Sequence, residues 1–242
     1  TSDGHAPGED ARYDMVQYYR EACTLVTSTW ADGTKGPLIQ VYREGVVSQR
    51  LAKEINQLYP GRHFIISSAS TSHFMTGEST LDMYQSCIKP ALKRQRRLLG
   101  EPHSTPASLL ADAFSGNYSW TQGEDLRRAQ WSEGANCHLS CKPPGGWSAK
   151  GQPCDAFHML LRSLQDAYMD AKLGYFPCVL DRPDLSLVPR NATGVVERRI
   201  DVKTNIECNI WAWDHMPEHI FRWAWVSRGL VSPQEMADAM GV

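Results

Sequence analysis

No run of apolar residues in this 242-residue chain approaches the roughly 18 that a membrane-spanning helix needs, so no segment of it is expected to cross a membrane as a helix. A surplus of positive charge is also missing. With 25 Lys and Arg against 27 Asp and Glu, the chain is no general polycation, and any contact with nucleic acid must come from local patches. The seven cysteines are odd in number and lack the dense spacing of a disulfide-stapled secreted domain, a pattern that fits reduced thiols in an intracellular protein. The start, Thr1 to Asp10, is polar and has no basic region leading into an apolar one, so it does not read as a signal peptide. Also lacking are internal repeats, low-complexity tracts, a glycine-rich phosphate loop and a Gly-x-Ser-x-Gly elbow, which argues against loop-bound nucleotide enzymes and serine hydrolases of the elbow type. Asn117-Tyr118-Ser119 and Asn191-Ala192-Thr193 match the glycosylation sequon, a match with meaning only in the secretory pathway.

What is present is an ordinary globular composition, 42% apolar and 21% charged, with alternating strand and helix signals. After a lead-in over residues 1–18, Cys23 to Trp30 is rich in β-branched and apolar residues and ends at the turn Ala31-Asp32-Gly33-Thr34. Leu38 to Tyr42 resumes strand character, which predicts a hairpin or meander. Val47, Leu51, Ile55 and Leu58 recur on one helical face, and His63 to Ser68 reads as a short buried strand. A helix is expected from Glu78 to Leu99, with Pro90 as a kink. Ser108 to Asp112 is a strand that ends on a carboxylate. Glu124 to Trp131 reads as a helix and Asn136 to Ser140 as a strand. From Asp155 the pattern is helical, with Phe157, Leu160, Leu161, Leu164, Ala167 and Tyr168 in one stripe and Asp155 at or near the N-cap. Residues 175–194 read as a connector. Two more helices are expected, at Asp201 to Trp213 and from Pro217, as a first-turn residue, to Arg228.

Two acids therefore stand at the edge of buried scaffold: Asp112 after an apolar strand, and Asp155 at the start of an amphipathic helix. Carboxylates so placed can hold hard divalent ions such as Mg²⁺ or Mn²⁺, which activate a water and stabilise the leaving oxygen of a phosphodiester. The plain alternative is a helix cap and a turn-starting Asp. Lys89, Lys93, Arg94, Arg96 and Arg97 form the best basic patch, either a phosphate-backbone contact or a solvated helix end whose cations favour the negative pole of the dipole. Cys137, His138, Cys141 and Cys154 could supply a thiolate-rich zinc site, though the spacing favours structural thiols. Trp211, Trp213, Phe221, Trp223 and Trp225 could stack bases, but core packing between two helices is the more ordinary role.

Specific phrases carry a resemblance. Leu109-Leu110-Ala111-Asp112-Ala113-Phe114-Ser115-Gly116-Asn117 resembles the second-aspartate motif of DDE superfamily endonucleases, the catalytic module of pogo/Tigger-like transposases, with Asn117 where the family usually has His. Pro143-Pro144-Gly145-Gly146-Trp147-Ser148, followed by Gln152-Pro153-Cys154-Asp155, is similar to the third-acid motif. The strand-turn-strand around Ala31-Asp32-Gly33, the helix after Phe74-Met75-Thr76-Gly77-Glu78, and the tail from Ala212-Trp213-Asp214 to Gly229-Leu230 extend the likeness over about residues 24–230.

The resemblance implies a ribonuclease-H-like α/β fold, a mixed sheet flanked by helices over residues 19–174, with a connector and small C-terminal helical segment over 175–242. It implies Asp112 and Asp155 as catalytic, Mg²⁺- or Mn²⁺-binding residues, DNA as the partner, a possible homo-oligomer, and a nuclear or otherwise intracellular setting away from membranes. His158, one turn after Asp155, would border that metal site. The family's first aspartate, in an Asp-Glu-Thr-like phrase upstream of the hairpin, has no counterpart. Of Asp3, Asp10 and Asp14, none follows an apolar strand; Asp14 comes nearest because Met15 and Val16 adjoin it, and Asp32 sits in a turn. The core is thus expected to lack its first catalytic strand. A transposase-derived binding or scaffold protein without turnover is the competing expectation.

Overall fold

The computed structural model describes residues 23–42, 45–67, 75–111, 122–141, 152–173 and 202–241. The fold is mixed α/β. Strands β1 (Thr24–Val26) and β2 (Leu38–Tyr42) pair antiparallel, with Val26 opposite Ile39. The turn between them is closed by Asp32, whose carboxylate accepts from the Thr34 backbone N–H at 2.8 Å, and by Gly33 at φ 78°, a conformation that favours glycine. Helix α1 (Gln49–Leu58), capped by Ser48, returns the chain to β3 (His63–Ser67), which runs parallel to β2. The order of this sheet is β1-β2-β3.

All five residues of β2 are buried, as befits a strand with neighbours on both edges and cover on both faces. Ile39 and Val41 face a long helical run. It comprises α2 (Gly77–Met83), a π turn (Tyr84–Ile88) and α3 (Lys89–Leu98). The expected kink at Pro90 takes the form of this π turn. Proline offers no N–H to the preceding turn and its ring crowds the carbonyl four residues back, so the helix widens just ahead of it. The Trp131 indole N–H donates to the Tyr84 carbonyl at 2.9 Å and ties the wide turn to the next helix.

Strands β4 (Ala107–Ala111) and β5 (Cys137–Cys141) form a second, parallel pair joined through α4 (Gln122–Ala135). They pack on the same helical run, so one core holds Ile39, Phe64, Tyr84, Ile88, Trp131 and Cys137 together. After a 3₁₀ turn (Cys154–Ala156), α5 (His158–Leu173) and α6 (Val202–His215) pack against each other and against the other face of β2. Leu38 meets Phe157, Trp213 and Phe221 there, while Tyr42 and Ile65 meet Ile206 and Ile210. Helices α7 (Glu218–Ser227) and α8 (Pro233–Met240) end the described chain.

Asp155, expected at or near the N-cap, lies in the 3₁₀ turn just ahead of α5, and the Phe157 ring between them is buried 5.0 Å from Phe221. Two details differ from expectation. Pro217 is the N-cap of α7 and not its first-turn residue, with extended backbone at φ −66° and ψ 135°. The last helix, α8, was not anticipated, although Ser232 and Glu235 form a reciprocal capping box at its start.

Candidate functional site

Strands β1 and β4 and the long helical run enclose a cleft of about 610 Å³. Its walls are the strand residues from Thr24 onward and the whole of β4, and its floor includes Met75, Met83, Tyr84, Ile88 and Leu92. The mouth is polar, made by Gln152, Asp155 and His158, with Trp225 from α7 closing one side. Ala111, the last residue of β4 and the one before Asp112, lines the same cleft as Asp155. Asp112 itself lies outside the described residues, as do Asn117 and the proline-rich turn at 143–148.

At the mouth, His158 stands between two partners. Its Nδ1 is 3.8 Å from a carboxylate oxygen of Asp155, and its Nε2 is 3.2 Å from the Thr27 hydroxyl. A neutral ring with its proton on Nδ1 would face that proton to the carboxylate and accept from Thr27 through Nε2. The Cys154 thiol donates to the Thr27 carbonyl, with sulfur and oxygen 3.4 Å apart, so the 3₁₀ turn is held against the end of β1. Asp155 keeps a side-chain exposure of 30%, enough to reach a solvent-borne ligand. Thr27 was not singled out in the sequence; no motif marks a hydroxyl that matters only through a histidine 131 residues away. Among the described residues no group of three or more His, Cys, Asp and Glu is placed to hold a metal ion. Of the possible zinc ligands, Cys137 is buried on β5, His138 is exposed and Cys154 is committed to Thr27.

The basic stretch does not form one face. Lys93, Arg94 and Arg97 are exposed and Lys89 is half-buried. Arg96 turns inward, where its guanidinium donates to the carbonyls of Ala135 at 2.9 Å and Asn136 at 3.0 Å, at the negative end of α4. That guanidinium ties α3 to α4 and is not free for a phosphate. The aromatic residues likewise divide: Trp213 and Phe221 are core, Trp211 stacks on His215 at 4.0 Å, and Trp223 is 55% exposed.

A second polar cluster lies at the start of β2 and β3, the end of the sheet that also bears Thr27. Asp214, on α6, accepts from Arg62 at 2.7 Å, and its other contact is the ring Nε2 of His63 at 3.2 Å. Lys35 donates to the Asp214 backbone carbonyl at 2.6 Å. Burial pushes the His63 ring down to about 4, against the opposing pull of the Asp214 carboxylate. Desolvation also lowers Lys35. Around this cluster the cavity is only about 60 Å³. The chain matches no family model, no curated protein and no solved structure.

Proposed function

We propose that the chain is a DDE-type DNA endonuclease or strand transferase that cleaves or joins phosphodiester bonds with Mg²⁺ or Mn²⁺. One observation carries this reading: the β4 end that leads into Asp112 and the 3₁₀ turn that bears Asp155 border one cleft. Two acids separated in sequence could thus share a divalent ion through oxygen ligands, with a water or a DNA 3′ hydroxyl attacking in line. His158, beside Asp155 and anchored to Thr27, would hold that carboxylate in place. Lys93, Arg94 and Arg97 on α3 are the exposed cations available to a DNA backbone, whereas Arg96 is engaged elsewhere.

The test is nicking of supercoiled DNA with Mg²⁺ or Mn²⁺ by the intact chain and by Asp112→Ala and Asp155→Ala. Loss of nicking in both variants, with unchanged circular dichroism, is the expected result. Nicking that survives both substitutions refutes the assignment. The second reading, a DNA-binding or scaffold protein without turnover, is favoured by the early acids: none of Asp3, Asp10 or Asp14 follows an apolar strand. It predicts salt-sensitive DNA binding with no nicking by any variant.

A further inference from the structure

The small cavity at the start of β2 and β3 carries more positive charge than its neighbours cancel. Among the described residues that line it, three are cations: Lys35 just ahead of β2, Arg62 just ahead of β3 and Arg94 on α3. One, Asp214, is an acid. His63 also lines the cavity and is neutral at pH 7, because burial holds its ring down at about 4. The acids next outward are already engaged. Asp32 accepts from Gln95 at 2.9 Å and from Thr34, and Glu218, the other acid near Lys35, pairs with Arg222 at 3.3 Å. Three positive charges thus face one carboxylate.

Donors remain as well. The Asp214 carboxylate takes one N–H of Arg62, at 2.7 Å, and its backbone carbonyl takes one of Lys35, at 2.6 Å, whereas a guanidinium offers five donors and an ammonium three. Arg94 pairs with no acid among the described residues. Its stem lies against Gly61, where a Cβ would come within 2.7 Å of the Arg94 Cδ, so a bare backbone just before Arg62 lets both guanidiniums line one cavity. Gathering like charges costs energy, and burial, with Arg62 close by, already lowers Lys35. A bound anion would offset that cost.

Size narrows the ligand. A water-sized group needs roughly 10–15 Å³ of such space, so a cavity of about 60 Å³ takes about four to six, the scale of the four oxygens of a tetrahedral oxyanion. We propose that Lys35, Arg62 and Arg94 form a binding site for a phosphate group. A phosphate near its dianionic form matches an excess of about two positive charges. The two guanidinium forks suit its oxygens, and Lys35 adds a point charge. Free phosphate and the phosphate of a DNA backbone share this chemistry. Asp155 is not among the residues that line the cavity, and the site does not rest on the nuclease reading.

Titration of the full chain with inorganic phosphate tests it, with ionic strength held constant by chloride and the amide resonances of Gly36 and Gly61, both in the cavity wall, followed by NMR. The expected result is saturable, one-site movement of both. Binding should weaken at least about tenfold in Arg94→Gln and in Lys35→Gln. It should recover in part in Arg94→Lys and stay unchanged in Lys53→Gln, which removes the same charge from α1. Arg94 is exposed, so its variants carry the test if Lys35→Gln folds poorly. The titration is then repeated with a short DNA duplex present. A duplex that weakens phosphate binding by competition supports the site and assigns it to a DNA phosphate; a duplex without effect supports it and assigns it to free phosphate. Movement that does not saturate, or that Arg94→Gln leaves unchanged, overturns the proposal.

Discussion

His63 should make this protein lose stability in acid. Its side chain is 1% exposed, its Nε2 faces Asp214, and its Nδ1 is buried without a hydrogen-bond partner. A neutral ring satisfies that arrangement with its proton on Nε2, donated to Asp214. A charged ring must place a second N–H at Nδ1, where no acceptor waits, beside Arg62 and near Lys35. Folding therefore lowers the affinity of this ring for a proton, from 6.5 to about 4, chiefly through desolvation. Above pH 6.5 neither folded nor unfolded chain holds the proton, and His63 makes no pH-dependent contribution. As pH falls below 6.5, the unfolded chain takes up a proton that the folded chain refuses, so stability falls until the folded ring also titrates near pH 4. At about 1.4 kcal/mol per pH unit, the loss is on the order of 3 kcal/mol, a large share of the 5–15 kcal/mol typical of a domain. Urea unfolding between pH 7.5 and 4 measures it. Carboxylates also titrate in that range, so the informative quantity is the difference between the parent chain and His63→Gln, which keeps a donor toward Asp214 and cannot charge. The parent should lose about 3 kcal/mol more than the variant over that interval. An NMR titration of the His63 ring provides the check if the variant folds poorly. Equal pH slopes, or a ring that titrates near 6.5, would refute the reasoning.

Other expectations follow from single contacts. Asn209 donates to Gln40 at 2.8 Å and Asn205 at 3.1 Å and accepts from Gln165 at 2.7 Å, all within the core beneath β2. Asn209→Leu should strand those groups and cost about 3 kcal/mol by urea unfolding; a loss under about 0.5 kcal/mol would show the network to be dispensable. Trp131→Phe keeps most of the ring packing but removes the bond to the Tyr84 carbonyl, for about 1–2 kcal/mol in the same assay. Arg96→Met should cost about 2–3 kcal/mol because it frees the carbonyls at the end of α4. It should leave the salt dependence of any DNA binding unchanged, while Lys93→Gln or Arg97→Gln should each reduce the slope of log K against log salt by about 0.9 if it contacts phosphate. Gly33→Ala forces a side chain into positive φ and onto the Arg222 side chain, so its melting temperature should fall by several degrees.

Much of the scaffold was legible because burial in strands and helices leaves a periodic trace. Leu38 to Tyr42 is a β-strand over the expected residues, since a run of apolar and β-branched residues broken only by Gln40 and bounded by turns suits a strand covered on both faces. His63 to Ser67 follows for the same reason, and α1 follows from its apolar residues three and four apart. The site was less legible, because its chemistry depends on partners far apart along the chain. Arg96 reads as one cation among five, yet only the arrival of α4 makes it a clamp. His63 and Asp214 meet across 151 residues, and nothing local to either marks the pairing. Asp155 reads as standing at or near a helix N-cap because the pattern begins there, and it lies in the 3₁₀ turn that leads into the helix at His158. The most informative mismatch concerns Leu109 and Leu110. On sequence they belong to a buried strand, and in the fold they remain half-buried at a cleft edged by two strands. A local apolar run reports that a strand gains by being covered, but how completely it is covered depends on elements elsewhere in the chain that the run itself does not encode.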